Sequence, residues 1–156
     1  MRISAAALVV FIVGAAGACG GAPAAPRVDP CVAYQQAVRG PLGRLGRAAD
    51  VFGDAMGRGP EEGARASLAF AGALDEERGK LAGVQPGRDD IAAAHAKMLG
   101  SLTGLAGAMR FVGDVVARRD EAHREEARRR LAAAETGWRD AVDGVKKVCP
   151  EAALPS

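Results

Sequence analysis

Aromatic and β-branched side chains are scarce in this sequence. Aromatic residues make up 4% of the chain, whereas alanine, glycine and arginine are plentiful. Strands are enriched in aromatic and β-branched residues, while alanine and unbranched side chains favour helices. The composition therefore argues against a β-sheet protein and predicts an all-α fold.

An excess of charge of either sign is also missing. Without Arg2, 20 basic side chains nearly balance 19 acidic ones. Domains that bind nucleic acid usually carry a marked excess or patch of basic charge. We therefore expect no nucleic-acid partner.

The most apolar run of the chain is too short to cross a membrane. It extends from Ile3 to Ala16 behind Arg2, whereas a transmembrane helix needs about 20 apolar residues. A short apolar core behind a basic residue is typical of a signal peptide. We therefore interpret residues 1–18 as a signal peptide and exclude them from the fold.

The last three residues of this signal peptide are Ala16-Gly17-Ala18, and Cys19 follows directly. Small residues before a cysteine resemble the lipobox of bacterial lipoproteins. The resemblance implies cleavage before Cys19, acylation of this residue by chains such as palmitate, and attachment to a membrane of the cell envelope. That membrane is the outer membrane in a Gram-negative cell and otherwise the outer face of the plasma membrane. The alternative is ordinary cleavage after Ala16-x-Ala18, which leaves a secreted protein with a free Cys19.

Only three cysteines are present, and an odd number in an exported protein leaves one to explain. If Cys19 is acylated, Cys31 and Cys149 can pair in an oxidising compartment. The small, proline-containing residues after Cys19 have the composition of a flexible tether. We therefore divide the mature chain into a lipid-anchored linker over 19–28, a helical domain over 29–149 and a tail over 150–156.

Four amphipathic segments fill the helical domain. In each, apolar residues recur every three or four positions and form one face. The segments are expected to begin after Asp29, at Pro60, at Asp89 and near Asp120. Similar lengths and short connections predict an antiparallel four-helix bundle.

The boundary between the third and fourth helices is poorly marked, because residues 116–127 contain neither glycine nor proline. A single helix of about 60 residues, near 90 Å long, is the alternative. Such a rod would hold Cys149 beyond the Cα separation of about 7 Å that a disulfide tolerates. We therefore predict a turn at residues 118–120 and a bundle closed by a disulfide between Cys31 and Cys149.

Candidate catalytic residues are few. Ser67 and Ser101 are the only serines of the helical domain, and neither lies in a Gly-x-Ser-x-Gly turn. Cys31 and Cys149 lack the spacing of redox-active pairs. We expect no catalytic residues and no enzymatic activity.

The two histidines limit the cofactor sites that the chain can build. His95 lies on the apolar face of the third helix, and the candidate partners for a haem there are Tyr34, Met98 and Met109. The spacing Asp120-x-x-His123 supplies half of a di-iron site, and no second pair exists. We favour a hydrogen-bonded core histidine with no metal or cofactor. A bundle that binds haem or a metal is the alternative function.

Between Lys97 and Arg110 the third helix carries no charge. Gly100, Gly104 and Gly107 lie there opposite the core face, with Phe111 beside them. Glycine lets a neighbouring helix approach closely. Each glycine within a helix lowers the stability of that helix by about 1 kcal/mol relative to alanine. Either another helix of the bundle covers this face, or it binds a second protein or a second copy. Taken together, these features predict a lipid-anchored envelope protein that acts as a helical binding or assembly module.

Overall fold

The computed structural model describes residues 28–150, and every regular element within them is a helix. Helix α1 spans Pro30–Met56, α2 spans Pro60–Ala82, α3 spans Asp89–Ala117 and α4 spans Arg124–Val148, with a short 3₁₀ helix at Glu121–His123. The predicted all-α fold class is confirmed. The expected signal peptide, Cys19 and residues 151–156 lie outside the described residues.

The helices begin close to the positions predicted from the sequence, at residues that favour a helix start. The Asp29 side chain accepts hydrogen bonds from the backbone N–H groups of Cys31 at 2.7 Å and Val32 at 3.3 Å. Pro30 follows as the first helical residue, where its missing N–H costs nothing. Pairs of acidic residues occupy the first turns of α2, α3 and α4, where they face the positive ends of the helix dipoles.

The turn between α3 and α4 forms without glycine. Arg119 takes a left-handed conformation with φ 52°. Its N–H donates to the carbonyl of Val116 at 3.1 Å, and the N–H of Asp120 donates to that of Val115 at 3.0 Å. These are the two hydrogen bonds of a Schellman motif. The Asp120 side chain then accepts from the N–H of His123 at 3.3 Å, so α3 and α4 are separate helices, as predicted.

The helices pack in chain order, α1 against α2, α2 against α3 and α3 against α4. They share one apolar core, whose largest fully buried side chains include Leu74, Leu81, Ile91, Met98, Leu102 and Met109. Within residues 28–150, α1 and α4 approach each other less closely than these three pairs do. The centre of the fold is thus a packed helical core with one looser side.

A disulfide joins the start of α1 to the end of α4. The Cα atoms of Cys31 and Cys149 lie 5.4 Å apart and are 118 positions apart in sequence. The connection between α2 and α3 reaches the same place, because Arg88 donates from Nη2 to the carbonyl of Val148 at 3.0 Å. The two ends of the helical domain and its central connection therefore meet at one end of the fold.

Candidate functional site

His95, the candidate cofactor ligand, lies buried between α1 and α2 with both ring nitrogens occupied. Its Nδ1 lies 2.9 Å from the hydroxyl of Tyr34, and its Nε2 lies 3.0 Å from the carbonyl oxygen of Leu81. A carbonyl only accepts, so Nε2 carries the proton and Nδ1 accepts from the tyrosine. Burial lowers the pKa of His95 and raises the pKa of Tyr34 to about 12, so both side chains are neutral at pH 7.

This arrangement leaves little for a metal to bind. An iron or other metal at His95 would have to displace Tyr34 or Leu81 from a ring nitrogen. The second histidine, His123, is exposed and directs its Nδ1 to the carboxylate of Asp120 at 2.7 Å. Within residues 28–150, no three His, Cys, Asp or Glu side chains are grouped to hold a metal ion. The described residues therefore favour the interpretation of His95 as a structural residue.

Gly100, Gly104 and Gly107, here called the glycine face, lie on the exposed side of α3. A Cβ atom added to any of them would meet no atom within 4 Å. Cover by another helix of the bundle, one of the two alternatives left by the sequence, is therefore not found among residues 28–150. The face is open in the described chain.

Phe111, which the sequence groups with these glycines, packs against α4 instead of standing free. The Arg130 guanidinium lies 4.1 Å from the centroid of its ring, close enough for a cation–π contact. The His123 ring lies edge-on with its centroid 6.4 Å away. Phe111 is half-buried by these contacts, so it borders the glycine face without being a free part of it.

A half-buried ion pair between α1 and α2 was not predicted from the sequence. Arg44 donates from Nε and Nη2 to the two carboxylate oxygens of Glu77, each at 2.8 Å, and Lys80 adds a third hydrogen bond at 2.8 Å. The Arg44 hydrogen bonds lower the pKa of Glu77 to about 2, against the effect of its burial. A signal was present: Glu77 lies three residues after Leu74 and four before Leu81, on the core face of α2.

Comparison with known proteins identified no relative. No protein-family model matches the chain, and neither a curated protein nor a solved structure matches it. Among residues 28–150, no helix has the length and apolar character needed to cross a membrane. A proposal about function therefore rests on the chemistry of this chain's own residues.

Proposed function

We propose that the protein is a lipid-anchored protein of the bacterial cell envelope whose helical domain binds another protein or a second copy. The observation that carries the proposal is the disulfide between Cys31 and Cys149. Structural disulfides persist in oxidising compartments and are rare in the cytosol, so the bridge supports export. It also occupies two of the three cysteines and leaves Cys19 for acylation.

We also infer that the four helices run antiparallel. This is supported by the short connections and by the disulfide, which requires the start of α1 and the end of α4 to be neighbours. The described chain begins at Val28, close to Cys31 and the disulfide. A linker over residues 19–28 spans at most about 33–36 Å. The proposed anchor thus places the disulfide end towards the membrane and lets the sides of the helices face the envelope space.

The anchor is tested by a Cys19→Ser variant expressed in a bacterial host. We expect the parent protein to fractionate with membranes and to incorporate an alkyne-tagged palmitate, and we expect the variant to do neither. A variant with both Cys31→Ser and Cys149→Ser is the matched control, because it keeps Cys19 and should retain the label. Soluble mature parent protein with an unmodified Cys19 would refute the anchor.

The glycine face is the proposed site of partner binding. It is exposed and uncharged over a stretch of α3, whereas α4 forms ion pairs along its surface, such as Arg128 with Glu125. Three glycines also lower the stability of α3 by about 1 kcal/mol each relative to alanine. A close contact with another chain gives these glycines a purpose that the described fold does not supply.

A Gly104→Leu variant tests this site. The structure leaves room for the new side chain, so we expect native helix content and cooperative unfolding, with crosslinking to partners in cells or self-association weakened by about tenfold. Gly79→Leu is the matched control, because Gly79 is also exposed on a helix with nothing near its Cβ position. Equal association by the two variants would exclude the glycine face. Loss of cooperative unfolding in Gly104→Leu would instead assign the face to internal packing.

A further inference from the structure

An apolar cleft opens between α1 and α4, on the looser side of the fold. Its volume is about 140 Å³, and all four helices contribute to its lining. The floor is formed by Leu42, Leu74 and Leu102, which are almost completely buried. Gly46 on α1 and Trp138 on α4 also line the cleft; Gly46 is exposed and Trp138 is half-buried. The cleft therefore leads from the surface into the core.

Small residues on α1 and one large residue on α4 contribute to the lining of this cleft. Gly46 and Ala49 line the α1 side and add little volume, so Trp138 stays half-buried rather than sealed. Protein interiors are close-packed, with few voids larger than a water molecule. A space of this size beside the core is an exception, and a bound molecule that filled it would restore the contacts that its walls lack.

The lining selects for an uncharged, apolar occupant. Among residues 28–150, every side chain that lines the cleft belongs to leucine, phenylalanine, tryptophan, glycine or alanine, so none of these side chains offers a charge or a hydroxyl to a ligand. Sugars, ions and peptides would lose hydrogen bonds to water on entering. An engineered, closed apolar cavity of about 150 Å³ in another protein stays dry and binds benzene or xenon. The cleft has a similar volume and apolar side chains in its lining, but it is open to solvent on one side.

We infer that this cleft binds a small uncharged hydrocarbon of about the size of one six-membered ring. The inference goes beyond the proposed function and depends on neither the anchor at Cys19 nor the glycine face, since no residue of either lines the cleft. Ligand binding would stabilise the α1–α4 seam, because the ligand contacts Leu42 and Gly46 on one side and Trp138 on the other.

The test uses the full chain with Cys19→Ser, so that no attached lipid competes for the probe. The probe is fluorobenzene, followed by its ¹⁹F resonance and by the emission of Trp138, the only tryptophan in the sequence. We expect both signals to change and saturate together. Benzoate, which has the same ring with a charge, should give no change at equal concentration. Absence of saturation up to the solubility of fluorobenzene would overturn the inference.

Two variants of α1 locate the binding. Gly46 lines the cleft and Gly53 does not. In the described part of the chain, a Cβ at either position would meet no atom within 4 Å, so both leucine variants should fold. We expect Gly46→Leu to weaken fluorobenzene binding by about tenfold or more and Gly53→Leu to leave it unchanged. Equal affinities of the two variants would overturn the inference.

A Leu102→Ala variant provides a second measurement, because it removes part of the floor and enlarges the cleft. We expect the affinity for naphthalene relative to fluorobenzene to rise by about threefold or more. An unchanged ratio would contradict the assigned cleft. Binding of dodecanoate at least about tenfold more tightly than fluorobenzene would also overturn the inference, since the site would then be built for an acyl chain.

Discussion

Glycine lies both in the contact between α2 and α3 and in the seam between α1 and α4, but its neighbours differ. A Cβ atom at Gly113 of α3 would lie 3.1 Å from the side chain of Leu68 and 3.3 Å from the carbonyl oxygen of Ala64 on α2. A Cβ atom at Gly46 of α1 would meet no atom of residues 28–150 within 4 Å. The first glycine lets two helices touch, and the second leaves a cleft.

The two regions are therefore held together by different forces. Between α2 and α3, many short-range contacts act along the helices, each weak and together strong. Between α1 and α4, where such contacts are fewer, one covalent bond between Cys31 and Cys149 fixes a single end. Added volume should disturb the first region, and loss of the covalent bond should disturb the second.

Removing the disulfide should have the largest effect. For a sequence separation of 118, the chain-entropy account gives about 5 kcal/mol of stabilisation, with smaller values common in practice. We expect a variant with Cys31→Ser and Cys149→Ser to lose several kcal/mol in urea unfolding, and non-reducing peptide mapping of the parent to show the cross-link within one chain. Cys19→Ser is the control and should unfold like the parent. Free thiols at both positions in the parent, or a cross-link only between chains, would contradict the expectation.

Enlarging Gly113 is the corresponding experiment for the other region. A leucine there must push α2 away, so we expect Gly113→Leu to lower the free energy of unfolding by about 2–3 kcal/mol. Gly46→Leu enters open space and should leave the stability equal or slightly higher. Both are measured by denaturant unfolding, and equal losses in the two variants would mean that the helices are similarly spaced at both places.

The ion pair between α1 and α2 should add a smaller, pH-dependent contribution. The pKa of Glu77 falls from 4.5 to about 2 on folding, so its stabilising effect is complete above pH 4.5 and disappears as the pH falls towards 2. Because the Arg44 side chain is 43% exposed, water weakens the pair and we expect about 1–2 kcal/mol.

A Glu77→Gln variant should therefore be less stable than the parent at pH 7 and should lose less stability between pH 4.5 and pH 2. The measurement is the free energy of unfolding across that range. Asp75→Asn is the control, because Asp75 pairs with Arg110 at the surface between α2 and α3. This variant should change the dependence of stability on pH less than Glu77→Gln does. Parallel profiles for the parent and Glu77→Gln would show that the pair of Arg44 and Glu77 does not set the acid sensitivity of the fold.

Substitutions in the turn between α3 and α4 should have the smallest effect on stability, and one of them should increase it. Arg119 adopts a left-handed conformation that costs a non-glycine residue about 1–2 kcal/mol. Glycine removes this cost but adds conformational entropy to the unfolded chain, which offsets part of the gain. We therefore expect Arg119→Gly to raise the melting temperature by an amount equivalent to about 0.5–1 kcal/mol of stability. Arg118→Gly should lower it, because Arg118 has φ −84°. If both substitutions lowered the melting temperature, the Arg119 side chain itself would have to stabilise the turn.

The helix starts were predictable because their signals are local. Asp29 and Pro30 form a cap whatever the rest of the chain does. The turn after α3 was predictable only through the cysteines, because Arg119 occupies a position usually taken by glycine. The Asp120 carboxylate pairs with His123, three residues further on, because the 3₁₀ turn at Glu121–His123 brings that side chain within reach.

The roles of the glycines were not predictable, because each depends on a neighbour from another helix. Gly113 is buried against α2, whereas Gly104 is exposed. The neighbouring residues in the sequence do not indicate which of the two glycines is buried. The pairing of Glu77 with Arg44 also joins residues from two helices. An apolar pattern identifies the face that is buried, but the partner across the contact follows only from the assembled fold.

In covalent terms, the bridge between Cys31 and Cys149 turns residues 31–149 into a closed ring. The connections between helices, such as residues 83–88 between α2 and α3, all lie inside this ring. A peptidase that cuts any one of them opens the ring without releasing a fragment, because the two pieces remain joined through the cystine. Surrounded by proteases, such a chain can be nicked once and still keep all four helices on the same molecule.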